Sequence, residues 1–443
     1  MHYGQESQSK GAAPTVHNEW INETAGNLHI HVFPTKKYKT VSVLAQVEQP
    51  LIRQTVTATA LLPQILVRGT KQYPVTETLT QAFDELYGAG LSARANKHGD
   101  VQTIEFTLQV AGEEFIHGAS GLFKQAMQLF GQVICEPYVQ QSGFLASYVE
   151  TEKALHQQRI ENLINDKIAY AMERCAQIMY ANDAYGISRF GYVEDLQTLT
   201  PISLYESYQK LVLQGSLHVY VVGPVDEQAV KEQLLSVFEH FTKHSGAQGV
   251  TMFMTRSVPE ATQAKYIEEA MDVNQGKLNM GLRTGFAFPD DEYAALLVYN
   301  GILGGFPHSK LFLEVREKES LAYYASSRLE GLKGSIFIQS GIEIANKDRT
   351  QEIIEKQLLA MKRGDITQDE MRFTKDGLLN QYLQSDDHPF TGAMLHMFGR
   401  MTDRRRSVED LVRDIEQVSM DDVVRVAQTV NLDTTYFLRD KEV

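Results

Sequence analysis

The sequence predicts an α+β protein built from two copies of one unit, each a mixed, largely antiparallel sheet with helices packed on one face. Three observations carry this. The stretches DLQTLTPISLYESYQKLVLQGSLHVYVVG (195–223) and DIEQVSMDDVVRVAQTVNLDTTYFLRD (414–440) align without a gap at their start. Each reads as an acidic residue, two turns of helix, a Ser/Thr start signal, an amphipathic helix and an apolar strand. Ala60-Leu61-Leu62 lies nine residues before Gly69, just as Ala295-Leu296-Leu297 lies nine before Gly304, and both follow strand-like segments at 39–49 and 276–288. Residues 101–111 and 334–344 alternate as half-buried strands do, and helical stretches follow at 113–133 and 347–363. Strands with helices segregated to one side indicate α+β rather than a doubly wound parallel sheet.

In chain order, the polar first fourteen residues, 1–14, predict a flexible tail without the apolar stretch of a signal segment. Residues 15–240 form the first half. In NLHIHVF, His29 and His31 alternate onto one face of a strand and could ligate a metal; with no third ligand near in sequence, a solvated strand face is the expectation. TATALLPQILVRGT (57–70) reads as a core helix interrupted at Pro63, with no ionisable side chain before Arg68. Residues 241–263 lose periodicity and gather Gly, Ser and Pro, which predicts a linker, and 264–443 form the second half. Thr200 and Ser419 fall at equivalent helix starts, and Ser419-x-x-Asp422 is a capping-box pattern.

Composition narrows the function. The chain has 443 residues, 43% of them apolar, enough for roughly two to four domain-sized cores. Its 42 basic and 56 acidic residues give a net charge of −14, which argues against a general nucleic-acid or anionic-membrane binder. No apolar run approaches the length of a spanning helix, so no membrane insertion is expected. Cys135 and Cys175 form no CxxC and no Cys/His ladder, which fits a cytoplasmic protein without a disulfide framework.

Several motifs invite a functional reading and favour a plain one. His240 and His244 stand at i and i+4, as a zinc pair would, but beside a helix end where imidazoles meet the helix dipole. LGGFPHSK (303–310) lacks the Gly-Lys-Ser/Thr order of a phosphate loop. RMTDRRRS (400–407), with four arginines and no interleaved aromatic, reads as a solvated loop. There is no GxSxG and no HExxH. One stretch stands apart: SKLFLEVREKESLAYYASS (309–327) runs from amphipathic helix into aromatic strand and places Arg316 and Tyr323 seven apart across the turn. Arginine offers a fork of donors to peptide carbonyls or carboxylates, and a phenol can donate to a developing oxyanion.

These residues resemble a known family. GGFPHSKLFLEVREKESLAYYASSRLEGLKGSIFI is similar to the second-half signature of the pitrilysin/insulinase zinc peptidases, the inverzincins. LLPQILVRGTKQYP, DELYGAGLSA and PISLYESYQKLVLQGSLHVYVVGPVD resemble their first half. The resemblance covers nearly the whole chain after about residue 20. It implies two duplicated pitrilysin-like α+β halves forming a clamshell around peptides. In active members an inverted His-x-x-Glu-His lies upstream of a Gly-Thr, and a later glutamate completes the zinc set.

Counting back from Gly69-Thr70, the five motif positions are Ala60, Leu61, Leu62, Pro63 and Gln64, and the later ligand glutamate falls on Arg159. Both histidines and the base are gone, while Arg316 and Tyr323 are kept. The resemblance is particularly to the metal-free partner subunit of the two-component bacterial branch. It implies no metal in this chain, zinc in a homologous partner of a heterodimer, and a peptide substrate. Arg316 would hold a substrate carbonyl, and Tyr323, with Tyr324 as the less favoured neighbour, would steady the oxyanion. The alternative is a non-enzymatic scaffold or peptide-binding protein with a peptidase-like fold, in which Arg316 pairs with Glu314 or Glu319. An independent metallopeptidase using His240 and His244 is a third.

Overall fold

A computed structural model describes residues 19–118, 120–244 and 264–441. The expected tail at 1–14 and residues 245–263 of the expected linker lie outside these. Phe241, assigned to that linker by the sequence, is fully buried in the first half's core.

The first half contributes strands β1 (Ile21–Ala25), β2 (Leu28–Pro34), β3 (Thr40–Pro50), β4 (Gly90–His98) and β5 (Val101–Ala111), a small ribbon of β6 (Val139–Gln140) and β7 (Gly143–Phe144), and β8 (Leu217–Gly223). The second contributes β9 (Lys265–Met271), β10 (Gly276–Arg283), β11 (Ala322–Glu330), β12 (Ser335–Ile342) and β13 (Asn431–Asp440). The sheets run β1-β2-β8-β3-β5-β4 and β11-β12-β10-β13-β9. Read from the other edge, the second order is the first without β1. Each sheet has one parallel pair, β2 with β8 and β9 with β13, and the remaining pairs are antiparallel. Two α+β halves of one topology are thus present, as the repeat predicts.

Alternation divides each sheet into two faces. On β3, Val41, Val43, Ala45 and Val47 enter the first core under the helices of their own half, while Ser42, Leu44, Gln46 and Glu48 face the other way. Leu278, Met280 and Leu282 on β10 do the same for the second core. The opposite face of each sheet carries a helix borrowed from the other half. Helix Lys167–Met179, from the first half, packs Ala171, Cys175 and Met179 on Phe337, Tyr436 and Leu438 of the second sheet. Helix Pro389–Thr402, from the second half, packs Ala393, Met397 and Met401 on Leu44, Tyr220 and Val222 of the first. These helices hold equivalent places, each following a long helix, Ala146–Asn165 or Gln368–Ser385. The exchange ties together the two valves of the expected clamshell. Buried Lys333 adds a tie, reaching Asp100 of the first half at 2.8 Å and Asp183 at 3.0 Å.

The equivalent helix starts are capped alike. Thr200 and Ser419 each accept from the backbone three residues on, and the side chains of Ser203 and Asp422 answer them. The expected helix at 113–133 divides into a short turn, Glu113–Phe115, and a helix over Leu122–Cys135, because Gly118 and Gly121 take left-handed conformations between them. The helix expected at 347–363 spans Lys347–Arg363. The interruption expected at Pro63 is absent: one helix runs Val56–Leu66 with Pro63 inside it. A proline there costs about 3 kcal/mol in isolation. Burial of Ala60, Leu61, Leu62, Ile65 and Leu66 in the core holds the helix through it.

Candidate functional site

In the first half, the five positions that the resemblance assigns to the metal motif, residues 60–64, lie on the Val56–Leu66 helix. Ala60 to Pro63 are buried and offer no side-chain donor atom. Gln64 turns its amide to the edge strand β4, where Nε2 donates to the Ala93 carbonyl at 3.0 Å. Arg159 lies on helix Ala146–Asn165, with a guanidinium nitrogen 3.8 Å from Glu152. Glu152 is the residue the motif search missed. It is 2% exposed and accepts from Arg68 Nε at 2.7 Å and from Arg68 Nη2. Its signal was its spacing: Glu152 precedes Arg159 by seven residues, two helical turns on one face.

A metal does not fit here. Alanine and proline cannot ligate, and two guanidinium groups already neutralise the buried carboxylate and would repel a cation. One turn along, His156 donates from Nε2 to the Phe190 carbonyl at 2.7 Å, and burial lowers its pKa, so it stays neutral. Among the described residues, no group of three His, Cys, Asp or Glu side chains could hold a metal ion.

The second-half residues are disposed differently. Arg316 sits on a wide helical segment, Phe312–Lys318, with its side chain 43% exposed. Its guanidinium lies 4.6 Å from the centre of the Phe312 ring and 3.6 Å from Glu317. Neither Glu314 nor Glu319, the partners a purely structural arginine was expected to find, is the one it takes. Glu314 pairs with Lys318, and Glu319 with Arg349 at 3.5 Å. Ser320, between helix and strand, has φ 53°, a left-handed conformation that costs a non-glycine residue about 1 kcal/mol or more.

Tyr323 follows on edge strand β11 at a β-bulge. Ala322 pairs with Ile342 and Tyr324 with Gly341, so Tyr323 is the extra residue. Its side chain is 64% exposed. Tyr324 covers Gly341, where a Cβ would strike its ring. Burial pushes its phenol up to about 12. The bulge thus turns one tyrosine outward and leaves its neighbour half buried.

Other motifs resolve structurally. His240 bonds the Leu213 carbonyl at 2.9 Å and His244 the His240 carbonyl at 2.7 Å. Lys310 of LGGFPHSK is buried, bonded to the Asp365 carbonyl at 2.7 Å and paired with Glu370 at 2.9 Å. The arginine run is not simply a solvated loop. Arg400 is paired with buried Glu48, and Arg406 is 5% exposed and bonded to the Phe288 and Asp290 carbonyls. His29 and His31 are not on a solvated face either. His31 is 6% exposed and His29 half buried, because helix Pro389–Thr402 covers that side of the sheet. Neither cysteine is disulfide-bonded, and no helix among the described residues is long and apolar enough to cross a membrane.

The family model described as Peptidase M16 inactive domain matches residues 198–378. A Bacillus subtilis relative, "Probable inactive metalloprotease YmfF", is 37% identical over 96% of this chain and 99% of its own length. "Uncharacterized zinc protease SCO5738" of Streptomyces coelicolor is 28% identical over 58% of this chain and 56% of its own. Among solved structures, a conserved protein from Enterococcus faecalis V583 superposes with a TM-score of 0.89 at 28% identity, covering 96% of this chain and 99% of that one.

Proposed function

The chain belongs to the M16 family of peptidases as a catalytically incomplete homologue, and we propose that it is the metal-free subunit of a heterodimeric zinc endopeptidase acting on peptides. One observation carries this reading: the first-half motif is emptied of ligands and filled by the Arg68–Glu152–Arg159 cluster, while Arg316 and Tyr323 are kept exposed in the second half. A purely structural Arg–Tyr pair would gain by burial; this one lies beside a strained turn and on a bulge, features that accumulate at functional sites. The zinc protease of related sequence named above supports a metal-bearing homologue as partner.

In this assignment Arg316 donates N–H bonds to a peptide carbonyl and fixes the substrate's register. The Tyr323 hydroxyl donates to the carbonyl oxygen as it becomes an oxyanion. Both interactions strengthen as charge develops, which is what lowers a barrier. Tyr324 supports the strand by covering Gly341. The hydrolytic centre and its zinc belong to the partner chain, in a cytoplasmic setting.

The test is co-expression with a zinc-bearing homologue, followed by sizing and digestion of a fluorogenic peptide. A one-to-one complex is expected. Arg316→Ala and Tyr323→Phe should each lower kcat/KM about 10²-fold, in the range seen when one oxyanion donor is lost. Unchanged cleavage in Arg316→Ala removes the catalytic assignment. A stable complex without any cleavage supports the scaffold reading instead, in which Arg316 rests on Phe312 and Glu317 as a structural group.

A further inference from the structure

The joint between the first sheet and its borrowed helix contains a column of histidines that the peptidase reading leaves unused. His29 and His218 stack with ring centres 4.4 Å apart, and His31 Nε2 lies 3.3 Å from His218 Nδ1. His31 also stacks on Tyr220 at 4.5 Å. The fourth member, His396, comes from helix Pro389–Thr402, and its ring is 5.2 Å from that of His31. Asn22 Oδ1 bridges the halves, 2.6 Å from His31 Nδ1 and 2.9 Å from His396 Nε2. One oxygen faces a nitrogen from each half of the molecule.

The surrounding charge keeps the column neutral. Arg400, one turn beyond His396 on the borrowed helix, bonds Tyr220 of β8 and pairs with Glu48 of β3. Arg405 approaches from the loop that follows. On this face Glu105 of β5 is paired with Arg94 and His98 of β4. At the start of the helix Lys37 pairs with Asp386 and Asp387. Among the described residues no carboxylate is paired with the column itself. Burial, with Arg400 and neighbouring imidazoles, holds His31 down to about 2, and burial with Arg405 and Arg400 holds His396 to about 4. His218 is held well below its ordinary range by the same causes, and His29 is lowered by burial and Arg400.

We propose that this column is an acid-released latch: protons taken up by His29, His31, His218 and His396 part helix Pro389–Thr402 from the first sheet and unlock the two halves there. Separation lets each imidazole reach water and charge near pH 6.5, so acid favours the open form. Neither helix Lys167–Met179 nor strands β9 to β13 of the second sheet contain a histidine, so that joint stays closed.

The chain carries its own reporter. Trp20, its single tryptophan, stacks on His396 at 4.5 Å, where an imidazolium quenches indole emission. Emission and far-UV circular dichroism of the full chain are followed from about pH 7.5 to about 4.5, the range in which histidine charges. The expected result is an emission change between about pH 6 and 5 with a Hill coefficient of about 3, complete before helix content falls. His31→Gln and His396→Gln should each lower that coefficient by about 1, as should the half-exposed His29→Gln if the deeper variants fail to fold. In hydrogen exchange, amides of Pro389–Thr402 should lose protection at pH 5 while those of Lys167–Met179 keep theirs. The proposal is overturned if emission changes only together with helix content, or if every histidine variant titrates like the parent.

Discussion

Helix Lys167–Met179 rests on the second sheet through Cys175 and Met179, and β10 presents Gly281, where a Cβ would meet Met179 Sδ at 2.6 Å. Helix Pro389–Thr402 rests on the first sheet through Ala393, Met397 and Met401, and adds polar contacts of His396 and Arg400 with His31, Asn22, Tyr220 and Glu48. The two joints occupy equivalent places in a duplicated fold and are filled with different chemistry. One is close-packed about an apolar centre, with Tyr170 and Arg174 of the helix held at its rim by Glu269 of β9, and its buried Cys175 thiol is pushed up to about 12 and so inert. The other is polar, and its stability depends on imidazoles remaining uncharged. A fold repeated twice therefore fixes where the halves touch, while side chains decide the conditions under which they stay together.

That contrast can be broken at either joint. The largest effect is expected from Phe337→Ala in the apolar joint, where a side chain 1% exposed is removed: about 3–5 kcal/mol lost in urea denaturation, equally at pH 8 and pH 6. A pH-dependent loss at this site would erase the distinction. Next comes acid acting on the polar joint. His31 and His396 have folded pKa values below 6.5, so the unfolded chain binds more protons. Their contribution is complete above pH 6.5 and is lost as pH falls through it, about 2 kcal/mol per histidine by pH 5. Denaturation of the parent and of His396→Gln at pH 8 and pH 5 measures this, and the variant should show the smaller drop. The smallest effect sharpens the equivalence of the halves: Thr200→Ala and Ser419→Ala remove matching caps and should each cost about 1 kcal/mol. Thermal unfolding would show whether the two losses are alike.

Much of the fold was legible because it depends on local pattern. The alternation over 101–111 became β5, and the periodicity over 347–363 became a helix with those bounds. Pro63 misled because a local cost of a few kcal/mol was outweighed by burial among residues distant in sequence. His29 and His31 misled for the same reason. Their neighbours in the strand gave no sign that His396, more than three hundred residues on, would cover them. At the candidate site, Ala60, Pro63, Gln64 and Arg159 were readable as letters at the positions the resemblance assigns to the zinc motif. What occupies their place, the Arg68–Glu152–Arg159 cluster, required the meeting of two helices.

The sequence by itself determined the duplication and the α+β class, and it set which residues stand at the positions the resemblance assigns to zinc and to the Arg316 and Tyr323 pair, since each is a matter of residue identity at a fixed spacing. Only the tertiary structure decided that Tyr323 is turned outward by a bulge, that buried Glu152 is held by arginines, and that each half lends the other a helix. These features depend on contacts between segments far apart in the chain, and spacing along a sequence carries no measure of which faces will meet.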